Sequence, residues 1–203
     1  QAVIATDKGH INVHETGAIE ATGHKVLAMP SKDGKLTPAD VLKALDTHTD
    51  EHMVQPKMVY ISNSTEIGTQ YSKADLEALH HICRQNDLYL FLDGARMGAA
   101  LTSPVNDLTL RDIAELVDVF YIGGTKCGAL FGEALVITNK KLARKFRTYM
   151  KQNGAVMAKG WLLGMQFCSL LEDGTYEKMT AQADAYALEI KAAFKEKGIR
   201  EYV

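Results

Sequence analysis

Two apolar runs in this sequence each end on a residue able to do chemistry. Leu88-Tyr89-Leu90-Phe91-Leu92 runs straight into Asp93-Gly94-Ala95-Arg96, and Val119-Phe120-Tyr121-Ile122 runs into Gly123-Gly124-Thr125-Lys126. A lysine among small and apolar residues is unusual, because burying an ammonium is costly unless it finds a partner or loses its proton. A neutral lysine amine condenses with an aldehyde, and a buried carboxylate can hold a protonated ring nitrogen. Taken alone, Asp93 reads first as a structural cap for the segment after it. A carboxylate and an amine at two strand ends of one sheet point further, since chemistry in open α/β sheets collects beyond the carboxyl ends of the strands.

The elements that must position these residues follow from periodicity. Strands are predicted at Val3 to Thr6, Lys25 to Met29, Met58 to Ser62, Leu88 to Asp93, Val117 to Ile122 and Ala134 to Thr138. Helical patterns stand between them. Thr37, Ser72 and Thr109 each precede an Asp by three residues, at Asp40, Asp75 and Asp112, the spacing of a capping box. The alternation predicts an α/β fold in three layers, a mostly parallel sheet with helices on both faces. About ten residues separate Ile122 from Ala134, too few for a parallel crossover, so these two strands are expected to be antiparallel. From Asn139 onward the pattern is helical, with one long helix over Glu177 to Lys197 leading away from the sheet.

Composition narrows the function. Of 203 residues, 46% are hydrophobic and 24% charged, with a net charge of -2, so no basic field argues for nucleic acid or an anionic membrane. No apolar run approaches the ~18 residues of a transmembrane helix. Cys83, Cys127 and Cys168 lack metal-type spacing, which favours reduced thiols in a cytoplasm. Both ends look cut, with no initiator Met and a chain that stops just after a helix. His10, His14 and Glu15 have an i, i+4 histidine pair, but the order is not HExxH and Ile11 and Val13 weaken a helix there, so no metal is expected. His80-His81 reads as a surface pair late in its helix, and the six basic residues between Lys140 and Lys151 read as a solvated helix face. No partner nominates Cys127 as a nucleophile.

The stretches GHINVHETGAIEATGHKV, LYLFLDGARMGAAL and YIGGTKCGALFGEALV together resemble the threonine aldolase and β-eliminating lyase family, pyridoxal-phosphate enzymes of the aspartate-aminotransferase fold type. The resemblance is collinear over nearly the whole chain. It implies that Lys126 carries pyridoxal 5'-phosphate as a Schiff base, that Asp93 binds the pyridine nitrogen, and that Arg96 lies near the substrate carboxylate. His10, in Gly9-His10-Ile11 with Glu15 and Gly17, matches the family's cofactor-stacking histidine and would assist proton transfer. Thr125 would add a hydroxyl near the phosphate, or serve only as a turn residue. Glycines 123, 124 and 128 would let the backbone approach the cofactor, and apolar neighbours would keep the Lys126 amine neutral.

The resemblance further implies a large domain over residues 1–172 without its N-terminal phosphate-binding loop, and a helix over 173–203 leading to a small domain largely absent from the chain. The expected assembly is a cytoplasmic homodimer or homotetramer with shared active sites, where Lys159 is the nearest basic residue to approach a neighbour's phosphate. The expected reaction is cleavage of L-threonine or L-allo-threonine to glycine and an aldehyde. One departure bears on it: where family aldolases carry a motif like ENTHN, whose histidine acts on the substrate hydroxyl, this chain reads Ser62-Asn63-Ser64-Thr65-Glu66. β-Elimination and transamination with the same cofactor residues therefore stay open. So does a reading without catalysis, as an inactive fragment or an α/β binding module, although no GxGxxG or Walker loop supports a nucleotide.

Overall fold

The computed structural model describes residues 1–202. In chain order its elements are β1 (Ala2–Thr6), α1 (His10–Val13), α2 (Ala18–Ala21), β2 (Lys25–Met29), α3 (Pro38–Asp46), β3 (Pro56–Ser62), α4 (Lys73–Gln85) and β4 (Tyr89–Asp93). There follow α5 (Met97–Thr102), α6 (Leu110–Leu116), β5 (Val119–Ile122), β6 (Ala134–Ile137), α7 (Lys140–Ala143), α8 (Phe146–Gln152), α9 (Trp161–Leu171) and α10 (Thr175–Glu196). The sheet is mostly parallel, as the alternation predicts. Residues fall into two compact units, Gln1–Asp93 with Asp107–Asp118, and Gly94–Asn106 with Val119–Tyr202.

In the first unit the parallel strands run in the order β2-β1-β3-β4. Every residue of β1 is buried, as befits a central parallel strand written AVIAT. Val3 and Ala5 share one face with Ile11, Val26 and Tyr60, with Ile19 and Phe91 packed around them. Ile4 points to the other face and is fully buried too, so both sides of the sheet are covered. All three expected capping boxes form, with Thr37 and Asp40, Ser72 and Asp75, and Thr109 and Asp112 bonding reciprocally, each cap contributing about 1 kcal/mol. Lys73 Nζ lies 2.6 Å from Asp112 Oδ1, and this bond, followed by those from Thr109, holds the Asp112 carboxyl well below the usual range. Behind β4, the buried Asp118 carboxylate accepts from Arg84 at 2.9 Å and from the Leu90 N–H at 2.8 Å, tying the strand down at its centre.

Two readings of this unit change. His10–Val13 does form a helical turn despite its β-branched residues, because Ile11 docks into the core described above and tertiary packing outweighs propensity. His80 is half-buried rather than a plain surface residue, its Nδ1 2.5 Å from the Leu116 carbonyl, while His81 is exposed.

In the second unit β5 and β6 pair antiparallel, Ile122 opposite Ala134, as the short connection requires. The basic run is not one helix face: α7 and α8 are separate short helices, broken where Lys145 takes a left-handed φ of 69°. α10 is one continuous helix, but its first turns do not lead away. Gly98 of α5 lies against Tyr176 and Thr180 so closely that a Cβ there would overlap the Thr180 methyl, and Thr102 Oγ1 donates to Asp184 at 2.6 Å. Farther along, Tyr186, Ile190 and Phe194 are exposed.

Candidate functional site

The first unit places His10 beyond the carboxyl end of β1 and Asp93 at the carboxyl end of β4. Ile11, sunk in the core, anchors the turn whose first residue is His10. The His10 ring is held at Nδ1, 2.7 Å from Glu15 Oε1. An ionised carboxylate only accepts, so Nδ1 is the donor of this pair, and a tautomer with its one proton on Nδ1 has Nε2 as the acceptor. The backbone is held as well: the His10 N–H donates to Glu66 Oε1 at 2.9 Å, and the Ser62 hydroxyl donates to the same oxygen at 2.7 Å. His14 stands beside His10 with ring centroids 5.1 Å apart. Among the described residues no group of three or more His, Cys, Asp or Glu could hold a metal ion.

Asp93 is buried, with Oδ2 accepting from the Tyr60 hydroxyl. Tyr60 sits two residues before Ser62, the register partner of Asp93, and its ring stacks on Phe91 at 5.4 Å, which aims the hydroxyl along the strand. The Asp93 carbonyl accepts from the Asn63 N–H at 3.0 Å. Thr65, the residue in place of the family histidine, is sealed inside its own loop. Its hydroxyl lies 2.7 Å from that of Thr69, and Gly34 packs against its Cβ. The next residue, Glu66, is the one that reaches His10. Sequence reasoning weighed Thr65 and missed Glu66, whose partner lies 56 residues away.

In the second unit the turn after β5 carries Thr125 and Lys126. Two of its glycines, Gly123 and Gly124, press against other main chain, and Gly128 lies against the Met179 side chain. A Cβ on Gly94 would overlap the Tyr121 carbonyl oxygen, one on Gly123 would overlap the Ala95 carbonyl, and one on Gly124 the Gly132 carbonyl. Gly123 N–H donates to the Gly94 carbonyl at 2.8 Å, locking this approach. From the other side the fully buried Tyr176 donates its hydroxyl to the Gly123 carbonyl at 2.9 Å. Burial, and then contact with the Cys127 thiol, push the Tyr176 phenol far above its ordinary pKa. Glu133 accepts from the Gly124 N–H and, at 3.3 Å, from the Thr125 hydroxyl.

Lys126 is exposed, which corrects the expectation of apolar cover. Successive residues of the turn point different ways: Cys127 goes inward and is 3% exposed, which leaves Thr125 and Lys126 facing out. The Lys126 amine makes no hydrogen bond or ion pair among the described residues. Arg96, half-buried at the start of α5, likewise has no ion pair among them. Lys159 is exposed in the segment between α8 and α9.

Residues 1–200 match the family described as Beta-eliminating lyase. The chain belongs to the beta-eliminating lyase family. It is 35% identical over 188 residues to a low specificity L-threonine aldolase of Pseudomonas sp. strain NCIMB 10558, a match covering 90% of this chain and 54% of that protein. Among solved structures it is similar to the threonine aldolase of Leishmania major, with a TM-score of 0.96 and 57% identity over 98% of this chain and 58% of the other. The PLP-bound C-S lyase of Staphylococcus hominis, 17% identical with a TM-score of 0.65 over 97% of this chain and 49% of its own, shares the fold. The chain spans about half the length of the curated relatives it matches. No helix among the described residues is long and apolar enough to cross a membrane.

Proposed function

We propose that this family member is a pyridoxal-phosphate-dependent lyase that cleaves the Cα–Cβ bond of a β-hydroxy amino acid, L-threonine or L-allo-threonine, to glycine and an aldehyde. The observation that carries the reading is the likeness to the Leishmania major threonine aldolase over 98% of the chain. The donor set suits the cofactor: an exposed amine with no hydrogen bond or ion pair among the described residues, a buried carboxylate held by a tyrosine hydroxyl, and a histidine ring held at one nitrogen by Glu15. When bound, pyridoxal phosphate supplies an aldehyde for an amine to condense with and a ring that accepts electrons released at Cα.

The chain's own residues then take these roles. Lys126 holds the cofactor through its amine. Asp93 keeps a proton on the pyridine nitrogen, with Tyr60 fixing the carboxylate. His10 would lie over the ring, and its Nε2, the acceptor where Nδ1 bonds Glu15, would take the proton of the substrate hydroxyl. Arg96 binds the substrate carboxylate by a charge-assisted contact. Thr125 offers its hydroxyl to the phosphate in exchange for Glu133. Residues 1–172 act as the large domain and 173–203 as the helix leading to a small domain, which the exposed Tyr186, Ile190 and Phe194 support as a surface for further packing.

The reading extends to a cytoplasmic homodimer or homotetramer with shared sites. Leu130 at 86% and Phe131 at 48% exposure, close after Lys126, support a second copy covering this face, and three free cysteines suit a reducing compartment. A specific observation keeps a second reaction in view: Thr65 is sealed in its loop, so no histidine acts from that position, and β-elimination or transamination would use the same cofactor residues. Product analysis decides. Full-length protein loaded with pyridoxal phosphate should release glycine and acetaldehyde from threonine, and protein that makes only pyruvate and ammonia from serine would overturn the aldolase reading.

A further inference from the structure

α1 begins without a local cap. Gly9 precedes His10 and offers no side chain, so the first N–H of the turn has no acceptor within its own segment. The acceptor comes from elsewhere: Glu66, 56 residues along the chain in the loop after β3, reaches the His10 N–H with Oε1 at 2.9 Å. Ser62, the last residue of β3, holds that same oxygen with its hydroxyl at 2.7 Å. An ionised carboxylate makes such bonds roughly twice as strong as a neutral acceptor does. Other ties on the turn include the burial of Ile11, the Glu15 contact to the His10 ring, a 2.9 Å bond from the Asn12 side chain to the Asp7 carbonyl, and a 3.0 Å bond from the Gly9 N–H to the Thr6 carbonyl at the end of β1. None of these joins the backbone of His10 to the end of β3, as Glu66 does through Ser62.

We propose that Glu66 is a positioning residue for His10, its carboxylate fixing the backbone from which the imidazole is aimed. The assignment accounts for the departure at Thr65, since the carboxylate at the next position connects this loop to the histidine that the chain does have. It rests on the reading of His10 as the group that takes the substrate proton. Displacing a reacting group by about 1 Å can cost on the order of 10²-fold in rate, so loss of Glu66 acts on kcat more than on KM.

The test uses full-length protein. Glu66→Ala, Glu66→Gln, Ser62→Ala and His10→Ala are assayed for kcat and KM on threonine with pyridoxal phosphate. In cofactor-free samples, carbethoxylation of His10 by diethyl pyrocarbonate is followed by peptide mass spectrometry. Glu66→Ala should lower kcat by on the order of 10²-fold with KM within about threefold, and His10 should label faster. Glu66→Gln, which keeps a carbonyl oxygen for the His10 N–H, should recover most of kcat, and Ser62→Ala should fall between. A Glu66→Ala protein with unchanged kcat and unchanged His10 labelling, while His10→Ala is impaired, overturns the proposal. If His10→Ala itself keeps full kcat, the proton-handling reading of His10 fails instead, and the labelling rates still decide whether Glu66 holds the turn. Should Glu66→Ala not fold, Glu66→Gln and Ser62→Ala carry the comparison, and unchanged labelling in both overturns it.

Discussion

In the loops after β1 and β3, fixation runs through side chains: Glu66 and Ser62 grip the backbone of His10, Glu15 holds its ring, and Tyr60 holds the carboxylate of Asp93 at the end of β4. In the turn after β5 it runs through the backbone. Glycines 94, 123 and 124 bring main-chain segments within a distance that no Cβ permits, and Tyr176 bonds a carbonyl rather than a functional group. The side chains that would meet a ligand there, Lys126 and Arg96, have no ion pair among the described residues. A proton-holding carboxylate and an aimed imidazole gain from being fixed before the ligand arrives. An amine that must form and break a covalent link gains from a rigid base and a free end.

This contrast can be broken by experiment, and the largest effect is expected at Lys126. Borohydride reduction of protein incubated with pyridoxal phosphate should place the label on Lys126, and Lys126→Ala should lose that label entirely. Because the side chain is exposed, its removal should change folding stability by no more than about 0.5 kcal/mol. A large drop in thermal midpoint, or a label on another lysine, would mean that the second unit also fixes its functional side chains.

Next comes the backbone of the same turn. Gly123→Ala forces a methyl into the Ala95 carbonyl, main chain that cannot swing aside, and should cost about 3 kcal/mol or more in denaturant unfolding. Gly164, exposed within α9 and with open space where a Cβ would stand, serves as the control. There alanine should stabilise by up to about 1 kcal/mol through helix propensity. Equal effects at the two sites would remove the argument that close backbone approach holds the lysine turn.

The mildest structural change with a functional consequence is expected at Asp93→Asn. The amide oxygen still accepts from Tyr60, so unfolding should shift by less than about 1 kcal/mol. Turnover should nevertheless fall by on the order of 10²-fold, because a neutral amide no longer holds a proton on the ring nitrogen. Unchanged turnover would detach Asp93 from the chemistry and leave it as a structural partner of Tyr60.

Much of this molecule is legible without coordinates, for local reasons. Buried parallel strands must be continuously apolar, so β1 to β4 stand out as runs, and three hydroxyl-to-Asp spacings mark helix starts because the capping bonds span only three residues. The antiparallel β5–β6 pair follows from the length of its connection alone. Asp93, Lys126, Arg96, Thr125 and His10 were nominated by strand ends and by motif, which needs only neighbours in sequence.

What local pattern cannot reach is any decision made between distant segments. How closely Gly123 and Gly124 meet other main chain is set by Ala95 and Gly132, which reach them only in the fold. The exposure of Lys126 depends on which residue of its turn goes inward, and packing chose Cys127. The helical turn at His10 exists because Ile11 finds Val3, Ala5, Val26 and Tyr60, against its intrinsic preference. Glu66 joins His10 across 56 residues, a bond whose two ends carry no mark in the sequence that they belong together, since a side-chain hydrogen bond has a range of about 3 Å in space and none along the chain.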